Sequence, residues 1–155
     1  MSLNLNTLEA VAQAMTEPGK GILAADESTG TIGKRFDQIN TECTFESRNA
    51  YRDLLFNTDG MENYISGVIM YDETLHQSSL SDSVPYPEFL AEKGVIPGIK
   101  VDMGVQNLPG SESEKVTHGL DGLDDRLKEY RKLGARFAKW RAVINITDNN
   151  PSGYC

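Results

Sequence analysis

Leu5, Leu8, Val11, Ala12 and Met15 recur at intervals of three and four, the spacing of one helix face, and predict an amphipathic helix over residues 5–16. Pro18 and Gly19 stop it. The pattern then becomes short and apolar: GILAAD predicts a strand over 20–26. Two helical stretches follow, TIGKRFDQI at 31–39 and TFESRNAYRDLLFNT at 44–58, with Tyr51, Leu54 and Leu55 on one face of the second. SGVIMYDET at 66–74 is a second strand, PYPEFLAEKG a short helix closed by glycine, and VIPGIKVD at 95–102 a third strand. Residues 103–119 read as a polar loop. DGLDDRLKEYRKLGA begins on acids and ends on bases and Gly134, the order a helix dipole favours. FAKWRAVI at 137–144 is a fourth strand, and TDNNPSGYC is loop-like.

Apolar strands separated by helices predict an α/β fold with a parallel sheet covered on both faces. Two architectures fit, a doubly wound open sheet and a (β/α)8 barrel. No G-x-G-x-x-G follows the first strand, which lowers the nucleotide-binding form of the first. Period-two alternation then sorts the charges. Ile22, Ala24 and Asp26 share a face of the first strand, Lys100 and Asp102 a face of the third, and Phe137, Lys139 and Arg141 a face of the fourth. Five charged residues thus fall at or just beyond the C-terminal ends of strands, where parallel-strand enzymes build their sites. Two lysines and an arginine gathered near an acid attract phosphate, and crowded cations favour a neutral lysine, the form that imine or proton-transfer chemistry uses. Ser28, Thr29 and Thr31, close to Lys34 and Arg35, offer hydroxyls and a helix N-terminus, a second anion-friendly feature that also reads as a plain N-cap.

Composition narrows the classes. At 155 residues the chain fits one domain, residues 1–155, and its formal charge of −8 argues against a nucleic-acid partner. No run approaches the roughly 20 apolar residues of a membrane span, and the first residues lack the pattern of a signal peptide. Cys43 and Cys155 make no disulfide framework, so a cytoplasmic location is expected. His76 and His118 have no ligand-spaced partners, so no metal is expected. No G-x-S-x-G or Walker A stretch is present.

The blocks GILAADESTGTIGKRF, GVIMYDETLHQ, GIKVDMG and GLDGLDDRLKEYRKLGARFAKWRAV, in that order, resemble class I fructose-1,6-bisphosphate aldolases from about residue 7 onward. The resemblance implies a (β/α)8 TIM barrel and reversible cleavage of fructose 1,6-bisphosphate to dihydroxyacetone phosphate and glyceraldehyde 3-phosphate. It further implies a Schiff-base mechanism without metal or cofactor, service in glycolysis and gluconeogenesis, and a homotetramer. Carried over by position, Asp26 would engage the hydroxyl at the bond being broken and assist proton transfer. Lys139 would help carbinolamine formation and dehydration. Lys100 would bind substrate hydroxyls and the phosphate farther from the imine, and Arg141 would neutralise substrate charge. Ser28 and Thr31, with Arg35 nearby, would hold a phosphate. Thr31 stands where a serine is common, which keeps the hydroxyl; Met103 stands where a lysine is common, so position 103 is given no role.

A barrel of this kind takes about 250 residues, and four predicted strands are half of its eight. The chain is therefore expected to be the first four βα units. The imine-forming lysine, the glutamate acid/base and the main site for the other phosphate are expected in the second half, so these residues alone would bind or orient substrate without turning it over. A truncated, non-catalytic phosphosugar-binding or interaction module is the alternative.

Overall fold

The computed structural model describes residues 7–155. Helix α1 spans Leu8–Met15, capped by the Thr7 side chain; residues 5 and 6 of the expected helix lie outside the described residues. Strand β1 (Gly21–Ala25) is followed by α2 (Thr29–Asp37) and α3 (Phe45–Phe56). A single 3-10 turn at Met61–Asn63 leads into β2 (Ile65–Met70), then α4 (Asp72–Leu75), α5 (Tyr86–Glu92) and β3 (Ile96–Lys100). A hairpin of β4 (Val105–Asn107) and β5 (Lys115–Thr117) precedes α6 (Leu123–Lys132) and β6 (Phe137–Lys139). β1, β2, β3 and β6 form one parallel sheet in that order, so each strand lies beside the next one of the series and the order never reverses. That order does not have the switch point of a doubly wound sheet.

One face of the sheet holds the core. Ala25, Val68, Met70, Ile99 and Val101 pack against Phe56, Leu75, Tyr86, Phe89, Leu90 and Tyr130 from the helices. Each large side chain buried there contributes about 1.5–3 kcal/mol. The opposite face is only partly filled, and Ile22 on β1 stays 42 % exposed. Phe137 is the main occupant on this side. Its ring lies where a Cβ atom on Gly98 would stand and within 3.1 Å of one on Gly67, so glycine is a packing requirement at position 98 and a close fit at 67.

Four sequence expectations change. The second strand stops at Met70, because Asp72 and Glu73 begin a helical turn. The fourth strand ends at Lys139 and not near 144, since hydrogen bonding to β3 runs out there. The expected loop 103–119 contains the antiparallel hairpin, whose strands are too short to show a period. Most telling is α3: Leu54 is 70 % exposed, whereas Arg52 is 1 % exposed and Phe56 is buried beside it. Thr44 and Ser47 form a capping box that fixes where this helix starts. Its inward face then offers arginines, because two carboxylates, Glu27 and Glu73, face it from the strand ends.

Candidate active site

Strand ends deliver the acid and both lysines. β1 stops at the fully buried Ala25, and the next residue is Asp26. Lys139 closes β6, and its Nζ donates to Asp26 Oδ2 at 2.6 Å. β3 ends at Lys100, opposite Lys139 in the parallel register, so the two ammonium groups leave one face side by side. Lys100 Nζ donates to Asp102 Oδ1 at 2.9 Å and to the Asp102 carbonyl oxygen at 2.7 Å. Each lysine therefore carries its own carboxylate, which allows two cations to stand on adjacent strands.

Asp102 is the more deeply placed acid, its side chain wholly buried. Burial by itself pushes its carboxyl up, but the Lys100 ammonium, the Gly104 N–H and the charge of Arg141 outweigh that and hold it below the usual carboxylate value. Its Oδ2 is buried and accepts no hydrogen bond among the described residues.

Ser28 caps α2: its Oγ accepts the Thr31 N–H and lies 3.1 Å from the Thr31 hydroxyl. Two hydroxyls and a helix N-terminus thus share one corner. Arg141 lies just past β6, held through its carbonyl oxygen by the Thr117 hydroxyl of the hairpin at 2.8 Å. Asp26, Ser28, Thr31, Lys100, Lys139 and Arg141 line a single cleft of about 690 Å³.

Arg35, the remaining residue expected at the site, does not line that cleft. Its guanidinium pairs with Glu27 and donates to the Tyr51 hydroxyl at 3.0 Å. Glu27 is also bound by the buried Arg52, which donates to the Glu27 carbonyl oxygen at 2.9 Å and pairs with its carboxylate. Burial raises the Glu27 carboxyl, and main-chain N–H bonding together with both arginines overturns this and lowers it.

The sequence gives no role to Arg126 or Tyr130, yet both line the cleft. Four residues apart on α6, they share a helix face, and that spacing was the available signal. Arg126 donates to the Val101 carbonyl at 3.0 Å, and the Tyr130 hydroxyl donates to Asp72 at 2.7 Å. Just past β2, Tyr71 and Asp72 line the cleft, while Glu73 pairs with Arg48. Among the described residues, no group of three or more His, Cys, Asp or Glu side chains is placed to hold a metal ion, and no helix is long and apolar enough to cross a membrane. The cleft brings Lys100, Lys139, Arg126 and Arg141 together with Asp26, Glu27, Asp72 and Asp102, a set whose cations can attract an oxygen-rich anion and whose acids can exchange a proton with a hydroxyl.

Comparison with known proteins gives a consistent result. The family model for fructose-bisphosphate aldolase class-I matches residues 7–155. A Xylella fastidiosa protein named "probable fructose-bisphosphate aldolase class 1" is 56% identical over 153 residues, which are 99% of this chain and 46% of that protein. Fructose-bisphosphate aldolase 1 of Toxoplasma gondii is 58% identical over 135 residues, 87% of this chain and 37% of the relative. The fold is similar to that of Plasmodium falciparum fructose-bisphosphate aldolase, solved in complex with TRAP and a small-molecule inhibitor. The TM-score is 0.88 at 53% identity, over 93% of this chain and 42% of the other. The chain spans less than half the length of each of these relatives.

Proposed function

The chain belongs to the class I fructose-bisphosphate aldolase family, and from that premise we propose that it supplies the first four βα units of a (β/α)8 barrel performing Schiff-base cleavage of fructose 1,6-bisphosphate. The products are dihydroxyacetone phosphate and glyceraldehyde 3-phosphate, and the reaction is reversible. The single observation that carries this reading is the meeting of Asp26, Lys139 and Lys100 on one rim of the parallel sheet.

In this reading Asp26 accepts the proton of the substrate hydroxyl at the bond being broken, with Lys139 within hydrogen-bond reach to stabilise the resulting charge and to assist formation and dehydration of the carbinolamine. Lys100 and Arg141 hold the anionic end of the sugar, and Ser28 and Thr31 add hydroxyls at the N-terminus of α2. Arg35 contributes only if its pair with Glu27 opens. The imine-forming lysine, the glutamate acid/base and the principal second phosphate site are assigned to the other half of the barrel. Nucleophilic catalysis requires the amine beside its activating groups, so the 155 residues alone bind phosphosugar without cleaving it. The whole protein is proposed to act in the cytoplasm, in glycolysis and gluconeogenesis, as a homotetramer.

Borohydride trapping tests the reading. The full-length protein, incubated with dihydroxyacetone phosphate and reduced, gains one covalent adduct and loses activity; EDTA leaves the activity intact. No adduct, or activity abolished by EDTA, overturns it. The 155-residue polypeptide forms no such adduct but binds the phosphosugar saturably.

A further inference from the structure

Asp26 has one side-chain partner among the described residues, Lys139, and stands just past the end of β1, where strand pairing no longer holds the chain. Something else must fix it. The next residue, Glu27, is gripped twice by Arg52 from α3: once through its carboxylate and once through its carbonyl oxygen, the latter at 2.9 Å. Holding a carbonyl fixes the peptide plane between Glu27 and Ser28, and so constrains both neighbours, Asp26 and Ser28. The third contact of the same guanidinium, Nε to Thr74 Oγ1 at 3.3 Å, ties it to α4 at the end of β2. α4 also carries Asp72, which lines the cleft and accepts the Tyr130 hydroxyl.

We propose that Arg52 is a positioning residue of the aldolase site: it locks the Asp26–Glu27–Ser28 segment to the end of β2 and so holds the Asp26 carboxylate at its place on the rim. The proposal rests on the aldolase reading given above. A guanidinium that is 1 % exposed is costly to keep and would be replaced by an apolar side chain if the contact were mere filling. Its planar fork explains why arginine is required, since three separate donors reach a carboxylate, a carbonyl and a hydroxyl at once. Lysine carries the same charge as a single point and cannot serve all three. Glu27 matters in turn because it is the only carboxylate that Arg52 touches among the described residues.

The test compares full-length wild type, Arg52→Lys and Glu27→Gln by kcat, KM for fructose 1,6-bisphosphate, the pH profile of kcat/KM, and circular dichroism melting. A displacement of about 1 Å at a reacting group costs about 10²-fold, so kcat is expected to fall roughly 10- to 100-fold in folded variants, while KM moves little. The pH profile is expected to change shape, because the Asp26–Lys139 pair loses its fixed geometry; a purely structural residue would leave that profile in place. Wild-type kcat and pH profile in folded variants would overturn the proposal, as would a loss of activity matching the unfolded fraction. Should Arg52→Lys fail to fold, Glu27→Gln, which keeps the shape of the side chain and leaves the carbonyl contact available, decides by the same criteria. A wild type that neither cleaves the sugar nor forms the reduced adduct would overturn the aldolase reading and this one with it. A wild type that cleaves beside equally fast variants would overturn only the role of Arg52.

Discussion

Lys139 and Asp26 form a 2.6 Å hydrogen-bonded ion pair although 113 residues separate them in sequence. Among the described residues neither has another side-chain hydrogen-bond or ion-pair partner, so they act as a unit. In the full-length protein Asp26→Ala and Lys139→Ala are each expected to lower kcat about 10²–10⁴-fold with the fold intact. Because the groups work together, the double variant should be little worse than the poorer single one. Steady-state kinetics on the three variants measures this; near-normal rates in both singles, or fully multiplicative losses, would contradict the assignment.

Acid should loosen the rim. Glu27 and Asp102 have folded-state pKa values below their ordinary 4.5 and 3.8. Each therefore contributes stability that is fully present above its ordinary value and is lost as pH falls through the depressed one. The urea midpoint is expected to hold steady from neutral pH down to about 5 and to fall below that. Asp102→Asn should lessen the fall. A midpoint unchanged down to roughly pH 3, or an identical slope in the variant, would contradict the account.

Gly98→Ala places a methyl group inside the Phe137 ring. Overpacking of this kind costs about 1–3 kcal/mol, read as a lowered urea midpoint. Combining it with Phe137→Leu should recover part of the loss. If the single variant is as stable as wild type, the ring is not where the structure puts it.

The orientation of α3 makes a further contrast. Phe56→Ala is expected to cost about 3–5 kcal/mol, because the ring is fully buried against Tyr86. Leu54→Lys, on the exposed face, should stay within about 0.5 kcal/mol. Equal losses would show that the helix is turned the other way.

The 155-residue polypeptide, expressed alone, is expected to self-associate. The sheet has two outer strands, β1 and β6, and Ile22 is exposed on its less covered face. Size-exclusion chromatography with denaturant melting checks this; a monomeric peak with a sharp cooperative transition would refute it.

Much of this was readable beforehand because strand periodicity and strand ends leave clear marks. Asp26, Lys100 and Lys139 fell on the correct faces, since alternation with period two depends only on backbone geometry. Motif blocks carried the family. What failed depended on distant partners. Of Tyr51, Leu54 and Leu55, read onto one face of α3, Leu55 packs against the core while Leu54 is exposed. The helix also turns Arg48 and Arg52 inward, toward Glu73 and Glu27, which lie 25 residues away along the chain. Arg35, read as close to the phosphate hydroxyls, pairs with Glu27 and the Tyr51 hydroxyl and does not itself line the cleft. The β4–β5 hairpin has three residues per strand, too few to produce a pattern.

The sheet order has one more implication. β1 and β6 are outer strands with β2 and β3 between them, and in a flat sheet their axes would stand roughly 14 Å apart. Asp26 and Lys139 nevertheless touch across that span, so the sheet has to curl toward them. The pair is thus a caliper for curvature: a remote lesion that merely flattened the strands would part Asp26 from Lys139 while the hydrophobic layer behind them stayed whole.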